Sequence, residues 1–289
     1  MPITHNRGAK ISYTAAGAGE PVVLLHSSAS SANQWNGLTA VLAGRFRVIA
    51  IDLIGYGESD PWTDSAPLCL SDEVAQVEHV LSEDLGPGYD GPLHVVGHSY
   101  GGAVALSLAL RRARRYDAAP LTSLTLIEPV AFHLLWNSDP EGLGSFAEIR
   151  RLADDVTLAL AQGAADRAMA RFIDYWSGEG CWARLGEKQQ DRLLASAAKV
   201  GQDFFAAFAE PSVLADTRQI AAATLLLCGG CSPAPMRRLF EMLATSIPSS
   251  KGLILKGAGH MSPLTHANAV NSEIASHLAS HARSHDVAA

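Results

Sequence analysis

The stretch LHVVGHSYGG, residues 93–102, sets a serine between glycines at the junction of two unlike segments. Residues 93–96 are apolar and read as a buried strand; residues 101 to about 112 are rich in alanine and leucine and read as a helix. Between them, Gly97-His98-Ser99-Tyr100-Gly101 is G-x-S-x-G in a strand–turn–helix setting. A hydroxyl is a weak nucleophile near neutral pH, so it needs exposure on a tight turn and a base within reach. Gly97, Gly101 and Gly102 carry no Cβ to clash where strand and helix close on each other. The helix that begins after Ser99 offers N–H groups without intrahelical partners, suited to a developing oxyanion. The competing structural reading is a glycine-rich turn whose serine only caps a helix.

Other elements must carry that turn and bring partners to it. Residues 10–15 read as an early antiparallel strand, turned by Gly17-Ala18-Gly19-Glu20-Pro21. Residues 22–25 are a continuous apolar run, as expected of a strand buried on both faces, and residues 47–51 and 121–127 read as further buried strands. They end in His26-Ser27-Ser28, in Asp52-Leu53-Ile54-Gly55-Tyr56-Gly57-Glu58-Ser59, and in Glu128-Pro129. Helical patterns over 34–42 and 71–85, the latter capped by Ser71 or Asp72, alternate with these strands. That alternation predicts an α/β fold with a mainly parallel sheet covered on both faces. The rhythm stops at Phe132. Helical stretches are expected at 146–162, 164–176, 188–200 and 203–209, an aromatic-rich insertion over 132–215. A strand at 224–228, a helix at 235–244, a strand at 252–255 and a helix at 267–282 return the chain to the sheet, and residues 284–289 are expected to fray. The expected division is a core at 1–131 and 216–289 with a helical cap at 132–215.

Bulk properties narrow the functional classes. A chain of 289 residues, 48% hydrophobic, easily encloses a large core. Its net charge of −7 argues against nucleic acid or an anionic membrane as the main partner. The basic cluster Arg111, Arg112, Arg114 and Arg115 is expected to be a solvated helix end. The N-terminal sequence lacks the apolar core of a signal peptide and no apolar run reaches membrane-spanning length, so a cytoplasmic location is expected. Of the four cysteines, Cys228 and Cys231 have suggestive spacing, but no further zinc ligands match it. They read as small residues of a strand and its turn.

Together, His26-Ser27-Ser28, the segment 52–59, Gly97-His98-Ser99-Tyr100-Gly101-Gly102 and Gly257-Ala258-Gly259-His260-Met261 resemble the α/β-hydrolase superfamily, in its motif order and spacing over about 21–278. The resemblance implies an α/β-hydrolase fold with an inserted helical cap. It also implies roles: Ser99 as nucleophile and His260, in the loop after the last strand, as base. His98 is expected to pack beneath the turn, and His266, His277, His281 and His285 to lie on or near the exposed terminal helix. The family commonly takes its acid from the loop after the 224–228 strand. Here Ser232 stands at that place, and no acidic residue occurs between Asp216 and Glu241.

Glu128 is the replacement. It ends the strand next to that of Ser99, and zearalenone-lactonase-like members and some haloalkane dehalogenases carry their acid there. Asp52 is assigned to its own loop. The oxyanion donors implied are the N–H groups of Tyr100 and Ser28, with Ser27 where the family often has glycine. An apolar pocket is expected over Ser99, lined by Ser27, Phe132, Trp136, Trp176 and Met261. The expectation is a hydrolase of small or medium apolar esters or lactones, with a small molecule as its partner and no cofactor or metal. A carbon–carbon bond hydrolase of diketones, a cofactor-free oxygenase and a receptor-like binding module remain alternatives. Epoxide hydrolase and haloalkane dehalogenase chemistry requires an Asp where this chain has Ser99.

Overall fold

The computed structural model describes residues 2–6, 8–115, 119–136 and 138–283; the end expected to fray, His285 included, lies outside them. Its sheet has eight strands: β1 (Ile3–Asn6), β2 (Ala9–Ala16), β3 (Glu20–Leu25), β4 (Phe46–Ile51), β5 (His94–His98), β6 (Ser123–Ile127), β7 (Ala223–Gly229) and β8 (Ser250–Leu255). Their order is β1-β2-β4-β3-β5-β6-β7-β8. The β1/β2 and β2/β4 pairs are antiparallel and all others parallel. Strand β1 was not legible in the sequence.

Period two explains how these strands serve two cores. Along β3, Val23 and Leu25 face one hydrophobic cluster while Val22 and Leu24 face the other. Helices α1 (Asn36–Leu42) and α11 (Ala267–His281) cover the second face, through Leu38, Leu42, Val270, Ile274 and Leu278. The first face holds α2 (Leu70–Leu85) and α3 (Tyr100–Ala113), with Val74, Val77, Val104 and Leu108 buried. Helix α2 opens one residue before the expected cap. Cys69 is its N-cap, and Asp72 reaches back to accept the Cys69 N–H at 2.9 Å.

Between β6 and β7 the described residues form helices and turns only: α4 (Pro140–Ala161), α5 (Ala165–Ser177), α6 (Cys181–Arg184), α7 (Glu187–Leu194) and α8 (Ala197–Ala209). Helix α4 starts six residues before the expected point, because Asp139 caps it and accepts from the Gly142 N–H while Pro140 takes the first turn. The helix expected over 188–200 is instead split. Ser196 Oγ donates back to the Leu193 carbonyl at 2.7 Å, α7 ends, and α8 then runs unbroken through Asp203. Helix α9 (Ala234–Ser246) and the short α10 (Ser262–Thr265) complete the fold.

Three of the four clustered arginines, Arg111, Arg114 and Arg115, are exposed as expected of a solvated helix end. Arg112 is buried, whereas Arg111 pairs with Glu78 at 3.2 Å and Arg114 with Asp216 at 2.7 Å. All four cysteines are free thiols, with Cys228 buried on β7 and Cys231 exposed in the turn after it. Among the described residues no helix is long and apolar enough to cross a membrane.

Candidate active site

Parallel strands present their C-terminal ends at one edge, where loops converge. The register pairs His98 with Ile127 and Ile127 with Leu227. The next residues, Ser99, Glu128 and Cys228, therefore stand side by side along that edge. Ser99 has φ 55° and ψ −115°, a conformation rarely adopted by a residue with a side chain. The turn is held by Ser99 N–H to the Ile127 carbonyl, Gly101 N–H to the His26 carbonyl and Val130 N–H to the Ser99 carbonyl. Its glycines are required by close approach. A Cβ on Gly97 would lie 2.3 Å from the Gly101 carbonyl oxygen, and one on Gly101 2.3 Å from that of Leu25.

His260 follows β8 and reaches back over the edge. Its Nε2 is 2.9 Å from Ser99 Oγ and its Nδ1 2.7 Å from Glu128 Oε2. All three side chains are buried, Ser99 at 6% exposure, His260 at 2% and Glu128 at 1%. With a carboxylate at Nδ1, that nitrogen carries the proton and Nε2 is left to accept from the serine hydroxyl. Glu128 also has a positive φ, 44°. Its second oxygen accepts from Gly229 N–H at 2.6 Å and from Ser232 Oγ at 2.5 Å. Burial pushes this carboxyl up, but the bonds and charge of His260, with those of Ser232 and Gly229, outweigh it and hold the group below its ordinary value. The loop after β7 thus supplies donors to the Glu128 carboxylate.

Two further histidines support the arrangement without reaching Ser99. His98 is driven down to about 3 by burial and by the neighbouring His260. It is neutral, and its Nε2 donates to the His260 carbonyl at 2.9 Å while Nδ1 accepts from Gln34 Nε2 at 3.2 Å. His26, lowered to about 4 by burial, donates through Nδ1 to the Ser27 carbonyl and accepts the Leu53 N–H at Nε2. Asp52 serves its own loop, accepting from the Ala32 and Glu58 N–H groups. Gly57 has φ +55° and touches it so closely that a Cβ would lie 2.2 Å from the Asp52 carboxyl carbon.

A cavity of about 20 Å3 opens on Ser99, walled by Ser28, Val130, Phe132, Phe172, Trp176, Val200, Asp203 and Phe204. That is room for about one water. Phe132 and Trp176 lie where the sequence reading put them, and the Trp176 ring covers His260 at 4.1 Å between centroids. The other three lining assignments are corrected. Trp136 is 55% exposed and packs on Phe146, facing an outer groove with His133 and Phe208. It belongs to the turn after Phe132–Leu135, which directs it away from the sheet. Met261 opens α10 outside the cavity wall, and the Ser27 hydroxyl is taken by Gln34 Oε1 at 2.9 Å. Tyr100 is the first residue of α3, so its N–H has no intrahelical acceptor, and Ser28 borders the cavity.

The sequence reading missed Phe172, Val200, Asp203 and Phe204. A usable signal existed for Asp203: with Lys199 it forms an i, i+4 charged pair in an otherwise apolar helix. Among the described residues no group of three or more His, Cys, Asp or Glu is arranged to hold a metal ion.

A model described as the alpha/beta hydrolase family matches residues 22–273. Among curated proteins, an uncharacterized protein of Mycobacterium tuberculosis is 33% identical over 117 residues, 40% of this chain and 32% of that protein. The 2-hydroxy-6-oxo-6-(2'-aminophenyl)hexa-2,4-dienoic acid hydrolase of Metapseudomonas resinovorans is 29% identical over 117 residues, 39% of each chain. The chain therefore spans between about a third and two fifths of the length of these relatives. Among solved structures, Est816, described as an N-acyl homoserine lactone degrading enzyme, superposes with a TM-score of 0.71 at 21% identity, covering 95% of this chain and 99% of its own. At that identity the likeness is one of fold.

Proposed function

This chain belongs to the alpha/beta hydrolase family, and from that premise we propose that it is a serine hydrolase of small to medium apolar carboxylic esters or lactones. The observation that carries the reading is the continuous chain Ser99 Oγ, His260 Nε2, His260 Nδ1, Glu128 Oε2, with links of 2.9 and 2.7 Å. In this mechanism Ser99 Oγ attacks the substrate carbonyl carbon as His260 Nε2 takes its proton. Glu128 keeps the imidazole in the required tautomer and stabilises the imidazolium. The oxyanion forms against the N–H groups of Ser28 and Tyr100. His260 then returns the proton to the leaving alkoxide, an acyl-enzyme remains, and water activated by the same imidazole releases the acid. The aromatic wall of the cavity supports an apolar acyl group.

A second reading, hydrolysis of a carbon–carbon bond in a diketone, uses the same groups and is favoured by the partial match to the Metapseudomonas hydrolase. Intact mass after exposure to a fluorophosphonate, wild type beside Ser99→Ala, tests the shared step. A single adduct on wild type alone is expected, and an unlabelled wild type would overturn both readings. A panel of p-nitrophenyl esters, lactones and vinylogous diketones then separates the two.

A further inference from the structure

Three ionisable side chains lie between cap and core and take no part in the chemistry above. Lys199 and Asp203 are one turn apart on α8, and Glu73 is in the first turn of α2. Their exposures are 6%, 4% and 0%. Lys199 Nζ donates to Asp203 Oδ1 and, at 3.0 Å, to Glu73 Oε1. It also sits 4.8 Å from the ring centre of Tyr56 and 4.4 Å from that of Tyr100. The outer bonds of the cluster all go to the core. Asp203 Oδ2 accepts from Ser28 Oγ at 2.5 Å and from the Tyr56 hydroxyl at 2.6 Å. Glu73 accepts from the Tyr100 hydroxyl at 3.2 Å and from the Ile54 N–H at 3.1 Å.

Such a cluster is an expensive way to seat a cap, because desolvating two carboxylates and an ammonium roughly cancels their attraction. Apolar contacts already do that work: Phe132, Phe172, Trp176 and Phe204 of the cap share one continuous hydrophobic cluster with Val74, Val77 and Leu108 of the core. What buried polar bonds add is direction. Here the direction is specific, since the two ends of the cluster grip Ser28 and Tyr100. The loop at Ser28 needs such a hold, because the next residue, Ala29, has φ 54°.

We propose that the Glu73–Lys199–Asp203 cluster positions the oxyanion hole, fixing both donor residues by their side chains and tying them to α8, so that the hole reaches working geometry only with the cap seated. The proposal rests on the serine-hydrolase reading. Both Asp203 oxygens are committed within the cluster, so although the residue borders the cavity its role is positioning. The single hydroxyls of Ser28 and Tyr100 are the links to cut, because each variant removes one donor and leaves all three charged side chains and the backbone N–H groups in place.

The experiment measures the rate of Ser99 phosphonylation by a fluorophosphonate and the kcat and KM for p-nitrophenyl acetate, with thermal midpoints, for wild type, Ser28→Ala, Tyr100→Phe, Asp203→Ala and Ser28→Ala/Asp203→Ala. A donor removed outright costs about 100- to 1,000-fold. A donor loosened is therefore expected to cost about 10-fold in kcat and in labelling for each hydroxyl variant, with KM within about threefold. The double variant should be no slower than Asp203→Ala alone, since both cut one link. Unchanged kcat and labelling rate in Ser28→Ala and Tyr100→Phe, or multiplicative losses in the double variant, would overturn the proposal, the first of these even if Asp203→Ala fails to fold. An unlabelled wild type would overturn it together with the hydrolase reading, whereas labelled wild type with unchanged variants removes the positioning role alone.

Discussion

Two buried ionic arrays flank Ser99, and they solve opposite problems. Glu128 and His260 form one acid–base pair, open at the Ser99 end. Glu73, Lys199 and Asp203 put two acids on one cation and are closed off by hydroxyls. Each carboxylate is buried and receives several donors, yet the outcomes differ in sign. Glu128 is held below its ordinary value because His260, Ser232 and Gly229 outweigh burial. In Asp203 and Glu73, burial outweighs Lys199 and raises both. Lys199 itself is held up by the two acids against its own burial. Hydrogen-bond number does not set the sign; depth of burial and charge balance do.

That contrast can be broken at four points. Glu128→Gln keeps the shape of the first array but offers His260 an amide. We expect kcat for an ester substrate to fall by about 100- to 10,000-fold with the fold intact; near-full activity would remove Glu128 from its role. Lys199→Met strips the second array of its only cation and leaves two buried acids unpaired. Urea unfolding at pH 7 should register a loss of about 3–5 kcal/mol. The pH dependence follows from the raised carboxyls. Protons bind these groups more tightly in the folded state, so the penalty is largest near neutrality. It shrinks as pH falls through their raised folded values toward the unfolded range near about 4. A penalty constant from pH 7 to 5 would contradict the charge imbalance. Ser232→Ala removes one of the two donors on the far oxygen of Glu128, and a drop in kcat of about three- to tenfold is expected, the equivalent of roughly 1 kcal/mol. Trp136→Ala, in neither array and half-exposed, should leave kcat/KM within about twofold.

Much of this was legible before any coordinates. The apolar runs marked β3–β7, and the glycines around Ser99 marked a turn whose close contacts admit no side chain. Glu128 could be singled out because the usual position held Ser232. That Ser232 would donate to Glu128 could not, since the contact spans 104 positions. The pocket was read least well. Aromatic residues at helical spacing carry no mark of which face meets the cavity, so Phe132 and Trp176 were placed while Trp136 was misassigned and Phe172 and Phe204 were missed. Hydrophobic periodicity gives burial; it does not give the neighbour across a gap of fifty residues.

The depth of His26 and His98 has a spectroscopic consequence. Both imidazoles stay neutral down to about 4 and 3, below the range in which enzymes of this kind are assayed. Both rings are therefore silent between pH 5 and pH 8. Their carbon-bound proton resonances should hold constant chemical shifts across that interval, with slowly exchanging Nδ1 and Nε2 protons at the bonds to Ser27 and His260. Any sigmoidal movement seen at the site in that window belongs to neither of them.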